Sequence, residues 1–155
     1  MTPMPVRIWK PLLAAAALAF ATVAQADLTP WKDYELSDAV WQVSTIKVEP
    51  GMGDVYLEGL KKTWVAGMEL RKKLGYIEDY QILWSDLPQS GEFNVLLIVK
   101  FKNSADLAPN KAKYEAFMKE WGETRQKEAK DLQQKVYPGA RKIVGQYDFR
   151  QVTLK

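Results

Sequence analysis

"YIEDYQILWSDLPQSGEFNVLLIVKF", residues 76–101, sets two extended runs around a Leu-Pro-Gln-Ser-Gly turn, and its alternation decides the fold. Successive side chains of a strand point to opposite faces of a sheet, so parity sorts the run. In the second run, over 93–101, Phe93, Val95, Leu97, Val99 and Phe101 make one face wholly apolar, and Asn94, Leu96, Ile98 and Lys100 make the other. In the first run, over 77–85, Tyr80, Ile82 and Trp84 share one face and Asp79, Gln81, Leu83 and Ser85 the other. The aromatic and apolar sets belong under a helical layer. The second face carries too much Leu and Ile for open water and asks for a cover of its own.

Upstream, "VWQVSTIKV" over 40–48 is rich in β-branched residues and stops at "EPGMG", which reads as a strand and a turn. Asp54 then stands as an N-cap before a helix running to Gly75, with Leu57, Leu60, Trp64 and Met68 at helical spacing and Lys72 and Lys73 at its C-terminal end. Downstream of the hairpin, "NSADLAPN" is a loop, and 110–136 is a long helix. Lys111, Glu115, Lys119, Glu123, Lys127, Asp131 and Lys135 form a ladder of alternating charge along it, each step contributing a few tenths of a kcal/mol. Because a step of four residues drifts around a helix of 3.6 residues per turn, and because "GETRQKE" lacks apolar residues, the middle of the helix is expected to be exposed or to bend near Gly122. "YPG" closes it before a last strand over 145–154.

The order strand, helix, strand, strand, helix, strand is the βαββαβ signature of a ferredoxin-like α+β fold, with a four-stranded antiparallel sheet and two helices on one face. The domain spans 40–155. Residues 27–39, polar and holding Pro30, read as an N-terminal arm that Trp31 and Tyr34 pin to the body.

Residues 1–26 read as a signal peptide: Arg7 and Lys10 precede an apolar run over 12–23, and Ala24, Gln25 and Ala26 follow. The run is shorter than the ~20 residues a membrane-spanning helix needs, so cleavage between Ala26 and Asp27 and no stable membrane anchor are expected. Export to a periplasm or beyond the cell follows. Without its signal the chain has 20 basic residues in place of 22, against 19 acidic, and a charge of +1 is no footprint for nucleic acid. With no cysteine there are no disulfides, and stability rests on a buried core.

With this element order and "VEPGMGDVYLEGL", a strand, Pro-Gly turn and helix, the chain resembles the dimeric α+β barrel superfamily. That resemblance implies two ferredoxin-like units packed sheet to sheet as a homodimer around a shared cavity. The superfamily includes cofactor-free monooxygenases, haem enzymes, lactone isomerases and exported proteins of unassigned activity.

Absence of both histidine and cysteine excludes Ser-His-Asp and Cys-His nucleophile systems, His- or Cys-ligated haem and ordinary zinc sites. No cofactor and no metal are expected. Glu78 and Asp79 are adjacent and point to opposite faces of a strand, so they make no dyad, and Asp86 sits at a Pro turn where acids commonly cap the backbone. Trp64, Trp84 and Trp121 fall on core faces.

What remains is the second sheet face. Gln42, Gln81, Asn94 and Arg150 are its candidate polar contacts to a small apolar or aromatic ligand, with Leu83, Leu96 and Ile98 as walls. The leading expectation is an exported, noncatalytic homodimer that binds such a ligand. The alternatives are a cofactor-independent monooxygenase or isomerase using Gln81, Asn94 and Arg150, and an envelope interaction module using Trp31 and the charged helix.

Overall fold

Residues 27–155 are described by a computed structural model; the signal peptide expected over 1–26, with the cleavage residue Ala26, lies outside the described residues. In chain order the elements begin with β1 (Tyr34–Leu36) and β2 (Val40–Val48). A first helical run comprises α1 (Gly53–Leu60), a π-helical turn (Lys61–Val65) and α2 (Ala66–Lys73). The hairpin strands β3 (Asp79–Trp84) and β4 (Val95–Phe101) lead to a short 3₁₀ turn (Ser104–Leu107). A second helical run comprises α3 (Lys111–Trp121), α4 (Glu123–Asp131), a π-helical turn (Leu132–Val136) and α5 (Tyr137–Ala140), before β5 (Arg141–Phe149) and β6 (Val152–Leu154).

The chain is α+β, with an antiparallel four-stranded sheet in the order β3-β4-β2-β5 and a separate antiparallel pair of β1 with β6. The six-element order expected from the sequence is therefore not matched as it stood. The expected last strand, 145–154, starts earlier and is split, and the arm contributes a strand. Ser37 makes the split: its N–H donates to the Gln151 carbonyl at 2.9 Å, and its Oγ accepts from the Gln151 N–H at 3.1 Å. Of the two residues expected to pin the arm, Trp31 is 80% exposed, while Tyr34 lies in β1, whose pairing with β6 ties the arm down.

One face of the sheet carries the core. Ile46, Val48, Val95 and Leu97 pack with Tyr56, Leu60 and Tyr137, while Val99 and Phe101 pack with Met68 and Ile77, so both helical runs lie on this face. Each such side chain contributes about 1.5–3 kcal/mol when fully buried. Gly59 sets how closely the runs cross, since a Cβ there would stand 2.9 Å from the Tyr137 ring. The Thr63 hydroxyl bonds both the Gly59 carbonyl and the Tyr137 hydroxyl, at 2.8 and 2.9 Å.

The first helix begins at Gly53 with Met52 at the cap position and no side-chain cap bond. Asp54 is one residue inside, where its charge suits the helix N-terminus but its side chain is past the capping position. The bend expected near Gly122 is present, with Gly122 at φ 77° and ψ 158° between α3 and α4. It also cuts the charge ladder. Among the described residues only Lys111 with Glu115 (3.7 Å) and Asp131 with Lys135 (2.9 Å), at its two ends, reach ion-pair distance. Among the described residues no helix is long and apolar enough to cross a membrane.

Candidate functional site

The register settles where each candidate residue lies. Gln81 and Leu83 on β3 stand opposite Ile98 and Leu96 on β4. Across the sheet, the same face continues through Trp41 and Val43 of β2 to Phe149 and Tyr147 of β5. This face lies away from both helical runs. Leu83, Tyr147 and Phe149 are about half exposed, at 48%, 50% and 52%.

The other three candidates are elsewhere. Gln42 faces the helical side, opposite Val99, and donates through Nε2 to Asp148 Oδ1 at 3.3 Å. Asn94 precedes β4, where strand parity no longer applies, and is buried with its amide on the Val48 backbone and on the Pro88 carbonyl. Arg150 follows β5, beside Trp41 and Phe149 in a depression of about 310 Å³. Gln81 and Arg150 belong to opposite edges of the sheet, roughly 14 Å apart at about 4.8 Å per strand. The seven residues therefore do not form one site, and only Gln81, Leu83, Leu96 and Ile98 are contiguous.

A second region was hidden from sequence reasoning by the unknown orientation of β2. Its helix-side face runs Val40, Gln42, Ser44, Ile46, polar in the middle, and β5 adds Gln146 and Asp148 alongside. Gln146 Nε2 donates to Ser44 Oγ at 3.5 Å. An apolar layer is the ordinary solution beneath helices. Here the helices leave space over a polar floor.

That space comprises two cavities. The outer one, about 700 Å³, lies between Gln42 and Phe101 on the sheet and Tyr76, Tyr114 and Phe117. The inner one, about 350 Å³, lies between Ser44 and Gln146 on the sheet and Trp64, Trp121 and Tyr137. Arg71 and Phe117 line both, so they mark the junction. The Arg71 guanidinium sits 5.5 Å above the Phe117 ring, which stacks on Trp121 with 5.6 Å between centroids and 18° between planes. Each helical run lends a π-helical turn to the inner wall, through Thr63 and Trp64 in one and Gln133 in the other. Such turns are rare in helices and frequent at functional sites. Read with the right parity, Gln42 and Ser44 between Val40 and Ile46 are the sequence signal for this trough.

Its electrostatics are cationic. Asp106, at the outer cavity, is engaged by Lys113 at 2.9 Å. Among the described residues no carboxylate lies within ion-pair distance of Arg71. Arg141, at the inner end, lies 5.0 Å over the Tyr137 ring, and among the described residues its buried Nε has no hydrogen-bond partner. Burial pushes the neighbouring Tyr56 hydroxyl up to about 12, against the pull of Arg141. Glu78 and Asp79 are taken up by different lysines, Lys100 and Lys72, each at 2.9 Å. Among the described residues no three of His, Cys, Asp and Glu gather at metal-binding spacing.

No family model matches the chain, and no curated protein matches it. Among solved structures it is similar to the crystal structure of protein SO0527 from Shewanella oneidensis, with a TM-score of 0.48 and 12% identity over 77% of this chain and 98% of that one.

Proposed function

We propose that the protein is an exported, noncatalytic homodimer of the dimeric α+β barrel type that binds a small apolar or aromatic molecule. The ferredoxin-like reading is supported by the central elements: with the terminal ribbon set aside, strand, helical run, two strands, helical run and strand follow in order, with the sheet ordered β3-β4-β2-β5. Export is supported by the basic, apolar and Ala-Gln-Ala pattern over 1–26.

The observation that carries the dimer is the uncovered sheet face. Trp41, Val43, Leu83, Leu96, Ile98, Tyr147 and Phe149 span all four strands there, and a contiguous apolar face of this kind marks an interaction surface. A second copy offers the same flat face and buries both at once, as a two-fold dimer does. Native mass spectrometry of the purified protein tests this reading. A dimer carrying a small molecule, converted to monomer by Ile98→Lys, is the expected result; a single species with the mass of an empty monomer overturns it.

A further inference from the structure

We propose that the trough between the polar sheet floor and the two helical runs is the ligand site, and that it takes a flat aromatic molecule bearing one carboxylate, with the carboxylate on Arg71. This deepens the small-ligand reading above and rests on it, but moves the ligand from the sheet-to-sheet face to the helix side and needs only one protomer.

Three observations converge. The first is shape: the outer cavity, about 700 Å³, lies within the usual range of about 300–1,000 Å³ for small-molecule sites. Its walls carry flat rings at Tyr76, Tyr114 and Phe117, which suit a planar body by offset or edge contact. The second is charge. Arg71 stands at the junction of the two cavities with no carboxylate in reach among the described residues, and Arg141 adds a second cation at the inner end. A single guanidinium fork matches one planar carboxylate in bidentate fashion, and its stacking on Phe117 holds the fork in the cavity wall.

The third is the floor. Gln42, Ser44 and Gln146 stand where a helical layer ordinarily covers apolar residues, and their side chains remain open to the trough. Their mutual bonds are long, at 3.3 Å from Gln42 to Asp148 and 3.5 Å from Gln146 to Ser44. Donors on Gln42 and Gln146 are thus placed to meet acceptors on a bound molecule. A π-helical turn of each helical run lines the inner cavity above this floor.

Calorimetric titration of the full protein with 2-naphthoate, against 2-naphthalenemethanol of the same ring system, tests the proposal. Saturable binding of naphthoate at least about tenfold tighter than the alcohol is expected, with about the same loss in Arg71→Gln and none in Arg125→Gln, since Arg125 lies over the Trp121 ring but lines neither cavity. Backbone amide shifts in the bound state should fall on Gln42, Ser44, Arg71 and Phe117. No saturable naphthoate binding, equal affinity for the alcohol, or shifts confined to Gln81, Leu83, Leu96 and Ile98 each overturn the proposal. Should Arg71→Gln fail to fold, the acid-to-alcohol comparison on the wild type decides alone. Repeating the titration on Ile98→Lys separates this inference from the dimer: undiminished binding by a monomer upholds the site, and its loss on dissociation overturns a site held within one protomer.

Discussion

Asn94 acts as a strand partner for Val48. Its Oδ1 accepts from the Val48 N–H at 2.8 Å and its Nδ2 donates to the Val48 carbonyl at 3.0 Å, so one side-chain amide copies the bond pair that a neighbouring strand residue would make. Both groups are buried, and Nδ2 also reaches the Pro88 carbonyl at 3.1 Å, which ties the hairpin turn to the end of β2.

Asn94→Ala leaves the Val48 N–H and carbonyl buried without partners, at about 1–3 kcal/mol for each unsatisfied group. The expected outcome is a loss on the order of 3 kcal/mol in urea unfolding. Asn94→Asp is expected to be no better, because it keeps the acceptor but loses the donor and adds a buried charge. Naphthoate affinity of the folded fraction should not change.

Gly122 breaks the second helical run at φ 77° and ψ 158°, a conformation essentially confined to glycine. Gly122→Ala should lower stability by about 1–3 kcal/mol, or else straighten the run and shrink the trough beneath it. Gly139→Ala is the matched control, since an added Cβ there meets nothing within 4 Å and no positive φ is involved. Thermal unfolding of the two variants side by side should show a drop for the first and none for the second.

Tyr56 supplies a pH signature. Burial raises its hydroxyl from 10.0 to about 12, so the folded protein keeps a proton that the unfolded chain releases two units earlier. The associated stability is complete below pH 10 and drains away as pH rises to 12, an effect on the order of 2 kcal/mol. Tyr80 shifts in the same direction through its bond to Glu69. Unfolding midpoints followed from pH 8 to 12 should fall steeply at the alkaline end in the wild type and less steeply in Tyr56→Phe.

The arm is held by β6. Truncation after Gln151 removes the partner of Tyr34, Glu35 and Leu36, together with the ion pair of Lys155 with Glu35. Limited proteolysis should then cut rapidly within residues 27–38 while the four-stranded sheet survives, detected as a single trimmed fragment by mass spectrometry. Equal protection of the arm in the truncated and full chains would count against the clip.

The hairpin was legible because its two strands alternate cleanly and one is apolar at every other position. Parity placed Tyr80, Ile82 and Trp84 on the side of the helices and Gln81, Leu83, Leu96 and Ile98 on the other, as the register has them. The terminal ribbon was not legible, since Tyr34–Leu36 and Val152–Leu154 are three-residue strands too short to display a period. Asn94 was misassigned because alternation was carried past the strand end, where its amide turns inward to Val48. Gln42 posed a harder problem: polar residues in the middle of β2 look the same on either face until β4 and β5 fix the register. The trough followed that residue out of sight, because a polar floor shows itself as a site only once helices are known to lie above it.

The ribbon also brings the N-terminal arm and the last residue of the sequence together. Lys155 donates from its backbone N–H to the Asp33 carbonyl and from Nζ to the Trp31 carbonyl, each at 3.0 Å. Lys155 is thus held against residues 31–33, and in a variant that starts at residue 31 a short linker to Lys155 would close the described fold into a ring. Reopening that ring in the exposed turn over 89–92 gives a circular permutant that keeps every strand intact and sends fused cargo out from the far end of the β3–β4 hairpin.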